Sequence, residues 1–255
     1  MSATSVGPAE QGFSASYRRL REAQKTSFGA PAYSLVVNRP LGRVFAAAAH
    51  QTGATPNQVT VLGSALTYAV ILVVALVAPA WWVGLLVGVL LVVGYALDSA
   101  DGQLARLRGG GSLAGEWLDH MFDAGKVVTL HLAVLISFYR FAPERSPLWM
   151  LVPVVFVVAN VVLFFGQLLN EQLMRVHRLK NGLPTPPKAG SSPLRSLAKL
   201  PTDYGLLCVT FLFLGLPTVF LALYALQALA TAGLLAASLV KWFGDMKAVD
   251  REAFR

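Results

Sequence analysis

Asp98-Ser-Ala-Asp101-Gly102-Gln-Leu-Ala105-Arg106, followed by the break Gly109-Gly110-Gly111-Ser112 and then by Gly115-Glu-Trp-Leu-Asp119-His-Met-Phe-Asp123, carries five of the chain's 13 acidic residues and lies between long apolar runs. A carboxylate at mid-bilayer costs about 2.5–3.5 kcal/mol on insertion scales, and less near the interface. Ionisable groups at such depth mark function by default. Asp98 and Asp101 are spaced i, i+3 and Asp119 and Asp123 i, i+4, so each pair shares one helix face. The glycines between them break the helix and allow an antiparallel hairpin that gathers all four carboxylates. Four unpaired carboxylates repel one another. Divalent cations that prefer oxygen, Mg²⁺ or Mn²⁺, resolve the conflict, Mg²⁺ being held by carboxylates together with substrate phosphate. Two ions about 3.5–4 Å apart form a clamp for in-line displacement at phosphorus.

The flanking sequence sets this cluster in a membrane. The 255 residues are 55% hydrophobic and only 13% charged, with mean hydropathy +0.59, whereas soluble domains average about 25% charged. At about 20 residues per crossing, the pattern predicts an all-α integral membrane protein. Its six transmembrane helices are expected at 57–78, 82–106, 114–138, 148–172, 203–217 and 219–242. An interfacial amphipathic helix at 33–50, interrupted near Pro40, precedes them. The expected organisation is a polar basic tail at 1–32, the juxtamembrane helix at 33–50, a membrane domain at 51–245 and a C-terminal tail at 246–255. Trp81, Trp82, Trp149 and Trp242 fall near span ends, as interfacial anchors do. With six crossings, eighteen of the 21 Lys and Arg residues fall on one side. The other side receives only Arg140 and Arg145, and Lys126 lies inside a span. The positive-inside bias then makes both termini and the acidic cluster cytoplasmic. The net charge of +8 reads as topology and contact with anionic headgroups, with no nucleic acid implied. No cleavable signal peptide is expected, and the lone Cys208 excludes an internal disulfide.

The same stretch resembles the signature of the CDP-alcohol phosphotransferase (CDP-alcohol phosphatidyltransferase) family. Asp98, Asp101, Gly102, Ala105, Arg106, Gly115, Asp119 and Asp123 match its eight positions with the family's spacing. Upstream, Thr55-Pro56-Asn57-Gln58-Val59-Thr60 resembles the start of the family's first span, and Asn38-Arg39-Pro40 resembles the juxtamembrane helix of some members. The resemblance implies a six-helix fold, usually a homodimer, with a cytoplasm-facing site that takes a CDP-linked donor and releases CMP. By position it makes Asp98, Asp101 and Asp119 metal ligands and Asp123 a metal-associated general base for the acceptor hydroxyl. Gly102, Ala105, Arg106 and Gly115 then line the CDP site. The expected activity, in phospholipid biosynthesis, is transfer of a phosphatidyl or other phospho-alcohol group from CDP-diacylglycerol to a small polar alcohol. A soluble CDP-polyol donor with a polyol-phosphate acceptor is the runner-up.

Other ionisable residues divide between structure and function. Lys126, seven residues after Asp119, is either a counter-ion to an aspartate or a contact to a phosphate on the acceptor. Arg175 and Arg178 are either positive-inside anchors or part of an acceptor site, and they tilt the acceptor mildly towards a phosphorylated one. Glu116 favours the N-terminus of its helix. His120 points about 100° away from Asp119 on a helix and is expected to hydrogen-bond between helices. His131 reads as a satisfied interior histidine. An aspartate-rich prenyltransferase and a cation transporter remain as competing classes. Both carboxylate pairs within 26 residues disfavour the first. A cluster near one face, with no internal repeat, disfavours the second.

Overall fold

The chain builds α-helix wherever apolar length and capping allow it. A computed structural model describes residues 12–22, 30–142, 146–184, 196 and 199–253. All regular structure among them is helical: α1 Phe13–Glu22, α2 Arg39–Gln51, α3 Pro56–Leu76, α4 Trp81–Leu107, α5 Leu113–Phe141, α6 Leu151–Lys180, α7 Tyr204–Thr210 and α8 Pro217–Ala253. Among the described residues, five helical stretches are long and apolar enough to cross a membrane, namely Pro56–Leu76, Trp81–Leu107, Leu113–Phe141, Pro147–Lys180 and Pro217–Arg251. The protein is therefore a multi-pass membrane protein. Lys25, Arg145, Lys188, Arg195 and Arg255, counted above in the charge asymmetry, lie outside the described residues.

Local chemistry sets the boundaries. Thr55 and Gln58 form a capping box at the start of α3: Thr55 N donates to Gln58 Oε1 at 2.8 Å and Gln58 N donates to Thr55 Oγ1 at 3.3 Å. Pro56, in the first turn, needs no intrahelical donor there. Ser112 caps α5 by accepting from Gly115 N at 3.0 Å. Between α4 and α5 the chain reverses through Gly109 and Gly110, at φ +95° and +137°, a region in which a side chain is strained.

The helices differ from the sequence expectations in three ways. The juxtamembrane helix is not interrupted at Pro40. It widens just before it, in a π-helical turn Ser34–Asn38 whose last bond runs from Arg39 N to Ser34 O. Because Pro40 has no N–H to donate, a widened turn ahead of it spares the helix a break. Asn38 of that turn and Gly42, Ala46 and Ala47 of α2 are buried, one face at helical spacing, and α2 packs on α4. Second, the basic stretch expected as a tail contains α1, which buries Ala15, Ser16 and Leu20. Leu20 joins Ala46, Ala47, Val59, Ala100 and Leu104 in a small core. Residues 1–11 and 23–29 lie outside the described residues. Third, α6 and α8 run past their expected ends at 172 and 242, to Lys180 and Ala253. Polar side chains end a hydropathy window without ending a helix.

The segment expected as a span at 203–217 is α7 continued by a 3₁₀ turn, Phe211–Phe213. It is shorter than the other apolar helices, Tyr204–Phe213 in all. At one end Tyr204 stacks edge-on against Tyr95 of α4, with ring centroids 5.1 Å apart. At the other, the Gly215 backbone lies against Ala80 and Trp81. The segment thus accompanies α4 over fifteen residues, about 22 Å of helix. The intervening contact is backbone to backbone, for a Cβ on Gly84 would lie 2.8 Å from Leu212 O and 3.2 Å from Gly215 N. Gly84→Val should therefore displace this segment and lower stability by about 1–3 kcal/mol, the usual range for overpacking. A melting curve of the detergent-solubilised protein unchanged from wild type would contradict that packing.

Candidate active site

The α4–α5 hairpin brings the two carboxylate pairs face to face. The clearest sign is Lys126 of α5, whose Nζ lies 2.6 Å from Asp98 Oδ1 of α4 and 3.0 Å from Asp123 Oδ1. The Lys126 side chain is only 7% exposed, so its charge is offset locally. Asp101 lies one turn along α4, 6% exposed, within electrostatic reach of Asp98 and Asp119. Its carboxylate accepts from Thr60 Oγ1 of α3 at 2.5 Å and from the backbone N–H of Gly102. On α5, Asp119, His120 and Asp123 offer ligand atoms that all lie within 4.8 Å of one another.

Neighbouring helices hold this arrangement. Tyr68 of α3 donates to Phe122 O of α5 at 3.0 Å, next to Asp123. Gln103 of α4 donates to Arg39 O at 3.1 Å and to Ser99 Oγ at 3.2 Å, which ties the juxtamembrane helix to the motif helix. Arg106 Nη1 lies 3.5 Å from where a Cβ on Gly102 would stand, so the guanidinium reaches back over that bare stretch of backbone. Arg39 and Asp101 are both within its electrostatic reach. Gly115 leaves room for Asn57 of α3, whose Oδ1 would stand 2.9 Å from an added Cβ.

A cavity of about 190 Å³ adjoins the cluster, lined by Thr67, Tyr95, Asp98, Asp123, Lys126, Phe164 and Tyr204 among others. The donor set fits a divalent cation of oxygen preference. Carboxylates converge from two helices, and two of them already share a single cationic group, the Lys126 ammonium. Partly buried carboxylates so close favour a cation between them.

Of the other residues singled out from sequence, His131 is an interior histidine with both nitrogens engaged. Nδ1 lies 2.6 Å from the Tyr224 hydroxyl and Nε2 lies 2.7 Å from Asn160 Nδ2. Arg175 and Arg178 line neither this cavity nor the larger one beyond it. They lie eight and eleven residues past Gln167, the last α6 residue to line either cavity, about 12 and 16 Å along the helix. Sequence reasoning set His120 aside because adjacent helical residues point 100° apart, but a ring on two rotatable bonds reaches back to its neighbours. It also missed Thr60 and Asn57 as site residues, although both lie in the upstream stretch Thr55–Thr60. A hydroxyl and an amide within the first turns of an apolar span were the available signal.

A helical membrane bundle that gathers aspartates on two adjoining helices, beside a small cavity and an arginine folded over bare backbone, has the makings of a membrane-embedded transferase of substituted phosphate groups. The family model for CDP-alcohol phosphatidyltransferase matches residues 53–241, and the chain belongs to that family. Membership removes the prenyltransferase and transporter readings. No curated protein matches the sequence. Among solved structures, the chain is similar to Mycobacterium tuberculosis phosphatidylinositol phosphate synthase, crystallised with CDP-DAG bound. The identity is 21% and the TM-score 0.53, over 81% of this chain and 94% of that one, a likeness of fold.

Lys126→Met should leave Asp98 and Asp123 adjacent without their shared counter-ion, at a cost of about 3–5 kcal/mol typical of a broken buried pair. Adding Asp98→Asn to that variant should restore part of the loss. A double-mutant cycle by thermal or chemical denaturation reads the coupling, and additive losses would mean that the bridge carries no energy.

Proposed function

We propose that the protein transfers a phosphatidyl group from CDP-diacylglycerol to the hydroxyl of a small polar alcohol, releasing CMP, at the cytoplasmic side of a membrane that it crosses six times. The observation that carries this reading is the convergence of Asp98 and Asp123 on one ammonium beside a cavity, with Asp101 and Asp119 close by. The CDP-DAG bound in the Mycobacterium tuberculosis relative supports the choice of donor.

Asp98, Asp101, Asp119 and Asp123 would hold Mg²⁺ or Mn²⁺, in two ions on this reading. When bound, the ions neutralise the donor diphosphate and the charge developing on CMP. Arg106, reaching over Gly102, pairs with donor phosphate. Gly102, Ala105 and Gly115 keep the donor side open, and Asn57 flanks it. Asp123 accepts the acceptor's proton as the new phosphorus–oxygen bond forms, and Lys126 holds that carboxylate in place. His120, close to Asp119 and Asp123, is a further ligand candidate.

The sixth crossing is the α7 segment, supported by its course beside about 22 Å of α4. With six crossings the Lys and Arg bias puts both termini and the aspartates in the cytoplasm, with α2 lying along the interface. The homodimer is supported by the outer face of α6, where Val155, Val158, Val162, Phe165, Leu169 and Leu173 are exposed at steps of three and four residues. That stripe continues to Val176. A thiol crosslinker should join copies of a Val158→Cys variant in native membranes. Monomer alone, with Cys208 buried and out of reach, would count against this face.

The decisive assay supplies labelled CDP-diacylglycerol, a panel of alcohols and Mg²⁺ or Mn²⁺, and follows CMP and lipid product. Chelation should stop turnover. Asp123→Asn should lower transfer by at least about 10²-fold, the lower range for a general base, while retaining most donor binding. Asp101→Asn should weaken donor binding as well as turnover. Wild-type activity in both variants would overturn the assignment.

A further inference from the structure

A second, larger cavity of about 380 Å³ opens beside the first and shares Tyr95, Val127, Phe164 and Tyr204 with it. It lies among α5, α6, α7 and α8, and the volume suits a small-molecule site, for which about 300–1,000 Å³ is usual. The transferase chemistry described above makes no use of it. Its lining is unusual for a space among apolar helices, because it carries His131, Asn160, Gln167, Gln227 and Thr231.

The described lining of this space carries one charged side chain, and it is acidic. Among its described lining residues there is no lysine or arginine. Lys126, in the adjoining cavity, is bound to both Asp98 and Asp123. Asp203 is in the lining and accepts from Ser34 N at 3.3 Å and Gly205 N at 2.8 Å. Gln167, also in the lining, donates to the exposed Glu171 at 3.2 Å. His131 adds no positive charge, because the Asn160 amide nitrogen can only donate and the imidazole Nε2 facing it must therefore accept. A phosphate moved into this space would lose its water, find no counter-ion among these residues and face the Asp203 carboxylate. A hydroxyl group, both donor and acceptor, suits amides, threonine and neutral imidazole alike.

We infer that this cavity seats the acceptor, and that the acceptor is an uncharged polyhydroxylated alcohol instead of a phosphorylated one. The inference rests on the transferase reading above and narrows its substrate class. One hydroxyl passes the shared wall at Tyr95 and Phe164 to reach Asp123 while the others hydrogen-bond to Asn160, Gln227 and Thr231. The acceptor oxygen forms a bond to the donor phosphorus that carries the lipid. The bond from that phosphorus to the CMP oxygen breaks, its electron pair leaves with CMP, and the hydroxyl proton passes to the Asp123 carboxylate.

The test uses the full chain in detergent or nanodiscs with CDP-diacylglycerol and Mg²⁺. Glycerol, a cyclitol and a hexitol are each compared with their monophosphates by CMP release, and donor binding is read separately as thermal stabilisation by CDP-diacylglycerol. A neutral polyol should exceed its monophosphate in kcat/KM by at least about tenfold, the equivalent of one or two lost hydrogen bonds. Asn160→Leu and Gln227→Leu should each raise the acceptor KM by about the same factor and leave donor stabilisation unchanged. Equal use of both classes, preference for the monophosphates, or an unaltered acceptor KM in both variants would overturn the inference while the transferase reading stands. Absence of donor stabilisation together with absence of CMP release for every acceptor would overturn both. Should the leucine variants not fold, the acceptor comparison on the wild-type chain decides the question.

Discussion

Everything at the site turns on placing carboxylates close together where water is scarce. In a medium of low polarity, repulsion between two such groups is strong, and an uncompensated charge there is costly. The protein meets this cost with one buried ammonium between Asp98 and Asp123 and with hydroxyl and backbone donors on Asp101. These contacts hold the aspartates in register across the α4–α5 hairpin. On the proposed function, the same electrostatic demand is what recruits divalent ions and, with them, a diphosphate.

The surrounding bundle serves that constraint. The glycine turn at Gly109 and Gly110 sets the hairpin. α3 supplies Thr60 to Asp101 and Tyr68 to the backbone beside Asp123. α2, tied to α4 through Gln103, covers the outer half of the motif helix, and α1 is stapled to it by Leu20. Below the carboxylates the interior divides. Its apolar core holds Val74, Val87, Leu91 and Phe211, whereas the polar cavity around His131, Asn160 and Gln227 is enclosed largely by α5, α6, α7 and α8. The proposed division of labour follows the same line, with donor and ions on the α3–α5 side and acceptor on the other.

Much of the helical layout was legible because it depends on local rules. Apolar length put the spans α3 at 57–78 and α4 at 82–106, against Pro56–Leu76 and Trp81–Leu107 in the structure. The misses share a cause. The π turn before Pro40, the docking of α1 and the polar extensions of α6 and α8 all depend on neighbours or on hydrogen bonding that a hydropathy window does not register. The short α7 segment is the same lesson in reverse, since its apolar run was read correctly but its helix gives way to a 3₁₀ turn where backbone packs on backbone at Gly84.

The sequence by itself determined the membrane class, the family and the helical spacing of the four aspartates. Apolar length, helical spacing and an eight-position motif within 26 residues are all short-range properties of the chain. Only the tertiary structure decided that Lys126 bridges two helices, that Thr60 and His120 join the cluster, that Arg175 and Arg178 lie well beyond it, and that a polar cavity adjoins it. Those facts bring together residues as far apart as Tyr95 and Thr231, and side chains from separate helices meet only through the packing of the bundle.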